Sequence, residues 1–145
     1  MKTWLLPTAA VLGLAACASG VKADKPLPQG QDIRHVCIKQ QATRLEYKDR
    51  EVVEWFRESL TKRNISSEIF NGSKDNCRYL LTYSIKGKRQ LIVRGRLRLI
   101  DFSGSERAVL GEASYKYRGE EKAIARNNGI QDQIDRMVGE LFAAK

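Results

Sequence analysis

The sequence predicts an α+β domain in two layers, a five-stranded mixed sheet with two helices on one face. Three observations carry that expectation. From Cys77 to Arg118 apolar and polar residues alternate with a period of two in three successive runs. Two other stretches, around residues 52–60 and 130–141, repeat their apolar residues at helical spacing. Short β-type runs flank the first of these stretches, so the element order reads β-α-β-β-β-β-α.

The first strand is Asp32 to Lys39, where Ile33, Val36 and Ile38 imply burial on part of both faces. Asp49 to Arg63 is helical: Val52, Phe56 and Leu60 form the stripe, and Val53 and Trp55 widen it. Asp49, Glu51 and Glu54 crowd the first turns and Lys62 and Arg63 the last, as the helix dipole favours. Asn64 suits the left-handed position that ends such a helix. Ile65 to Phe70 makes a second strand, and the turn-rich run from Asn71 to Asn76 follows it.

In the third strand Tyr79, Leu81, Tyr83 and Ile85 alternate with Leu80, Thr82, Ser84 and Lys86. In the fourth, Leu91, Val93, Leu97 and Leu99 alternate with Ile92, Arg94, Arg96 and Arg98. In the fifth, Ala113, Tyr115 and Tyr117 alternate with Glu112, Ser114, Lys116 and Arg118. Such strands form an antiparallel meander covered on one side only, with turns at residues 87–89 and 103–105. The last helix follows Asn127-Asn128-Gly129, with Asn128 and Gln131 as a capping box and Ile130, Ile134, Met137, Val138 and Leu141 as its stripe. A strand, a helix and a strand form a right-handed parallel crossover, which leads to the strand order 2-1-3-4-5.

Residues 1–16 read as an export signal: Lys2 supplies one positive charge, Ala9 to Ala16 is a short apolar run, and small residues precede Cys17. The run is too short to span a bilayer. Leu14-Ala15-Ala16-Cys17 resembles the lipobox of bacterial lipoproteins, which implies a diacylglycerol on Cys17 and Cys17 as the mature N-terminus. An ordinary exported protein is the other reading of the same run. Residues 17–31, broken by Pro26, Pro28 and Gly30, read as a lipidated flexible tether. Its last 14 residues would reach about 45–50 Å when extended. Residues 32–145 then form one domain. Ala18, by likeness to sorted lipoproteins, implies the outer membrane, with the domain facing the periplasm.

Lys2 is the only charged residue of the signal, so 25 basic and 17 acidic groups follow it, a net charge of +8. Export argues against nucleic acid as the partner. It leaves an anionic glycolipid, a cell-wall polymer or an acidic envelope protein, besides the membrane itself through Cys17. With Cys17 lipidated, Cys37 and Cys77 are the remaining cysteines in an oxidising compartment, and a disulfide follows. It closes a loop of about 40 residues and contributes about 3–4 kcal/mol. It also sets the end of the first strand against the start of the third, as antiparallel neighbours would require. On the pleat that carries Tyr79 it would turn His35 inward and Val36 and Ile38 outward, which leaves the register of the first strand open. A reactive Cys37 beside His35 is the competing reading.

His35-Val36-Cys37-Ile38-Lys39, Cys77-Arg78-Tyr79-Leu80-Leu81-Thr82-Tyr83, Leu97-Arg98-Leu99 and Gly111-Glu112-Ala113-Ser114-Tyr115 resemble a family of small Gram-negative outer-membrane lipoproteins with no assigned activity. The likeness runs over most of the mature chain and implies the paired cysteines and the two-layer fold. In element order the chain also resembles the lipopolysaccharide-assembly lipoprotein, an analogy of fold alone.

One histidine, His35, excludes a histidine-rich metal site, and no cofactor motif or metal-ligand spacing is present. Glu120-Glu121 reads as a solvated loop. The charge pattern is the distinctive feature: between Asp75 and Asp101 the chain carries seven basic residues and no acid. A hairpin closing about Ser103-Gly104 places Arg96 near Glu112 and Arg94 near Ser114. Lys86, Arg94, Arg96, Arg98, Lys116 and Arg118 are thus candidate binding residues on one sheet face, against the plainer reading of a solvated face. The expected function is a lipid-anchored, non-catalytic adaptor or binding module, with a periplasmic hydrolase or transferase as the alternative.

Overall fold

The computed structural model describes residues 20–73 and 75–143; the signal, Cys17 and the lipid attachment expected there lie outside the described residues. Its elements are β1 (Val21–Lys25), β2 (His35–Ile38), α1 (Asp49–Thr61), β3 (Ser66–Ile69), β4 (Tyr79–Lys88), β5 (Leu91–Asp101), β6 (Ala108–Lys116), α2 (Glu120–Asn128) and α3 (Ile130–Leu141). The α+β class and the mixed sheet are as expected. The sheet has six strands rather than five, in the order β1-β6-β5-β4-β2-β3, and three helices rather than two.

The added strand, β1, comes from the stretch read as a tether. Val21 is buried opposite Tyr115 of β6, Ala23 lies opposite Ala113, and Lys22 and Asp24 point outward. Leu27 and Ile33 are also buried, so the folded unit already includes residues 20–31 and does not start at Asp32. The prolines follow the strand instead of preventing it.

The pairing of β2 with β4 is parallel, where antiparallel neighbours were expected. Cys77 precedes β4 instead of lying in it, so the Cys37–Cys77 bond does not tie the two strands pleat to pleat. This also settles the register of β2. Val36 and Ile38 enter the main core, while Cys37 turns to the other face and packs with Cys77, Leu80 and Phe102.

Between the sheet and the helices lies the core. Phe56 of α1, fully buried, stacks on Tyr83 of β4 with ring centroids 4.6 Å apart. α3 buries Ile134, Met137, Val138 and Leu141. Gly95 of β5 lets it approach: a Cβ there would lie 2.6 Å from the Met137 Sδ. The helices are also joined by Arg63, whose Nη1 donates to Asp135 Oδ1 at 2.7 Å, beside a Ser59 hydroxyl that donates to the same oxygen at 2.6 Å. Burial works to raise the Asp135 pKa, but these hydrogen bonds hold it below the ordinary value.

A bulge between Lys86 and Gly87 changes the facing at the start of β5. Ile92 is buried there and Val93 is 37% exposed, the reverse of the strict alternation. Gln133 of α3, itself buried, satisfies both backbone groups of Ile92, where the pairing with β6 has ended. It accepts from the Ile92 N–H at 3.0 Å and donates to the Ile92 carbonyl at 2.9 Å and the Tyr115 hydroxyl at 2.8 Å. Burial pushes the Tyr115 pKa up to about 12, against the effect of the Gln133 bond.

α2 replaces the expected solvated loop. Glu121 is 1% exposed and forms an ion pair with Arg136 of α3. No side chain caps α3: its N-cap is Gly129 at φ 81°, so the Asn128–Gln131 capping box does not form. Asn64, at φ 60°, ends the α1 region in the left-handed conformation as expected. No described helix is long and apolar enough to cross a membrane.

Candidate anion-binding face

Because the helices cover one face of the sheet, the other was expected to be open; a small cluster of Cys37, Cys77, Leu80 and Phe102 covers one end of it, and the outward side chains of β4, β5 and β6 beyond that cluster are exposed or half-buried. Ser84, Lys86, Arg94, Arg96, Arg98 and Lys116 border an open depression of about 640 Å³ on that face. The register sets which charges meet. Arg98 lies opposite Thr82 and Glu112, Arg96 opposite Ser84 and Ser114, and Arg94 opposite Lys86 and Lys116. The β5–β6 pairing is thus two residues away from the expected one, because residues 102–107 form a longer connection than a tight turn, with a bulge between Leu99 and Ile100.

This shift redistributes the charge. Glu112 pairs with Arg98 (Nε–Oε1 2.9 Å), not with Arg96. Arg94 is left between two lysines in a row crossing three strands. Neighbouring strands lie about 4.8 Å apart, and successive outward residues on one strand about 6.8 Å. The backbone positions that carry the exposed cations of the face follow this spacing. Arg94, Arg96, Lys86 and Lys116 make no ion pair among the described residues.

Five of the six expected binding residues line the depression. The sixth, Arg118, lies beyond β6, where its carbonyl accepts the Glu121 N–H at 3.2 Å. Sequence reasoning missed Gln41, whose N–H donates to the Tyr83 hydroxyl at 3.0 Å and brings the loop after β2 to the rim. No period or motif in residues 39–47 signals that position.

At the other end of β2, His35 Nδ1 is 2.6 Å from the Ser66 hydroxyl, and its Nε2 is 3.6 Å from Glu68. His35, Cys37 and Glu68 come within 4.8 Å of one another. The Cys37 sulfur is bonded to Cys77, so it offers neither a thiolate ligand to a metal nor a nucleophile. The reactive Cys37 reading is thereby removed.

No protein-family model matches the chain, and neither does any curated protein. Among solved structures it is similar to PelC from Paraburkholderia phytofirmans, a dodecamer. A single-site variant of PelC is 18% identical with a TM-score of 0.59, and a second PelC dodecamer is 17% identical with a TM-score of 0.58. Each alignment covers 83% of this chain and 96% of the other. At that identity the likeness is one of fold.

Proposed function

We propose that the chain is a lipid-anchored, non-catalytic module of the outer membrane, facing the periplasm, that binds an anionic envelope component on the exposed sheet face. The Lys86–Arg94–Lys116 row carries the reading. Like charges set directly opposite one another across strands destabilise a sheet, whereas a solvated face needs only mixed charge. Three cations in one row are therefore better accounted for by a bound anion than by solubility. The arginines add planar forks suited to phosphate or carboxylate, and Ser84 and Ser114 flank Arg96 with hydroxyls.

Lipopolysaccharide, an anionic glycolipid of this compartment, is the first probe. Changing Arg94 and Arg96 together to glutamine, with Arg98 left on Glu112, should lower the affinity roughly tenfold or more, since hydrogen bonds to charged groups contribute about 1.5–3 kcal/mol each. The dependence of binding on salt should flatten as well. Unchanged affinity at low and high salt would reduce the face to a solvated surface.

A further inference from the structure

We propose that the end of the sheet from which the chain emerges toward Cys17 is a membrane-docking surface for anionic phospholipid headgroups. The proposal rests on the reading of Cys17 as the lipid-bearing residue. The Gly20 carbonyl already accepts the Lys116 N–H at 2.6 Å, so no more than two residues, Ala18 and Ser19, separate the anchor from folded chain. Three Cα steps span at most about 11 Å. That is comparable to a Debye length of about 8–10 Å, so charges at this end feel a headgroup layer that a long tether would have kept out of range.

The unpaired charges gathered there are mainly basic. Lys116 makes the Gly20 contact through its backbone, Arg118 lies just beyond it, and the β4–β5 turn brings Lys88 and Arg89 to the same end. Arg126 of α2 borders a hollow with Lys88 and Arg89. These five side chains are exposed and make no ion pair among the described residues, and Glu46, Glu51 and Glu120 are exposed acids at the same end. Val93, the exposed large apolar residue among the described residues, is here too, with its carbonyl accepting the Tyr117 N–H at 3.0 Å. At the opposite end Arg34 pairs with Asp32, and Arg78 with Asp101. A short leash, a basic end and an apolar side chain at the leash's exit together fit an anionic bilayer surface.

The test uses the mature protein with its own lipid, reconstituted in vesicles of phosphatidylcholine alone or mixed with phosphatidylglycerol. A water-soluble acylating reagent reads the accessibility of individual lysines by mass spectrometry. Lys88 and Lys116 should be protected in the mixed vesicles, and high salt or pure phosphatidylcholine should restore their reactivity. Lys62, beyond the far end of α1, should react equally throughout. Arg89→Gln with Arg118→Gln, neither of which lines the depression, should shift the docked-to-free ratio by roughly tenfold to thirtyfold, as each basic residue at an anionic surface contributes about a fivefold factor. If Lys88 is as reactive as Lys62 in the mixed vesicles, the docking surface is refuted. The intact mass of the same sample reports the Cys17 modification separately: a mass without diacylglycerol overturns the anchor itself.

Discussion

Replacing Phe56 by alanine should destabilise the fold by about 3–5 kcal/mol, the range for deleting a fully buried aromatic ring. The ring is stacked on Tyr83 with an interplanar angle of 18°, so truncation removes contacts to both α1's neighbours and β4. Tyr83 also holds the Gln41 backbone at the rim of the basic depression, so loosening it reaches the candidate site. The unfolding midpoint should fall by roughly 15 °C, and Phe56→Leu should recover most of the loss. A loss under about 1 kcal/mol would mean that α1 does not bury this residue against the sheet.

Removing the disulfide has a comparable expected effect by a different route. Cys37 and Cys77 are 40 residues apart, and opening that loop restores conformational freedom to the unfolded chain amounting to about 4 kcal/mol. The double change to alanine also thins the small cluster with Leu80 and Phe102. Urea unfolding should show a much lower midpoint, while ligand binding by the still-folded fraction persists, because neither cysteine lines the depression. Loss of binding in a variant that remains folded would place the disulfide in the site.

The alternation of β4 made that strand's two faces legible from Tyr79 to Lys86, although Leu80 of the outward set is buried in the small cluster with Cys37. In β5 the pattern reads correctly from Arg94 onward and fails at Val93, where the bulge moves Ile92 into the core. Nothing in the residue types marks that extra residue. β1 was hidden for another reason: it is short, with three of its five residues charged, and its burial depends on Tyr115, nearly a hundred residues away. α2 lacks an apolar stripe, since its buried positions are Glu121 and Ala125, and Glu121 is tolerated inside only because Arg136 reaches it. The cations of the site were legible as a set, but which of them face one another was not. That depends on the length of the 102–107 connection, which decides whether Glu112 meets Arg98 or Arg96.

The central claim is that the Lys86–Arg94–Lys116 row is held open for an anion. The most direct measurement is the thermal unfolding midpoint at low ionic strength, for the wild type and for Arg94→Gln, with inorganic pyrophosphate or with chloride at matched ionic strength. Relief of a like-charge row should make Arg94→Gln more stable than the wild type in chloride, by up to about 1 kcal/mol. Pyrophosphate should raise the wild-type midpoint by binding the folded state and raise that of the variant much less. Equal midpoints in chloride together with equal rises in pyrophosphate would contradict the claim.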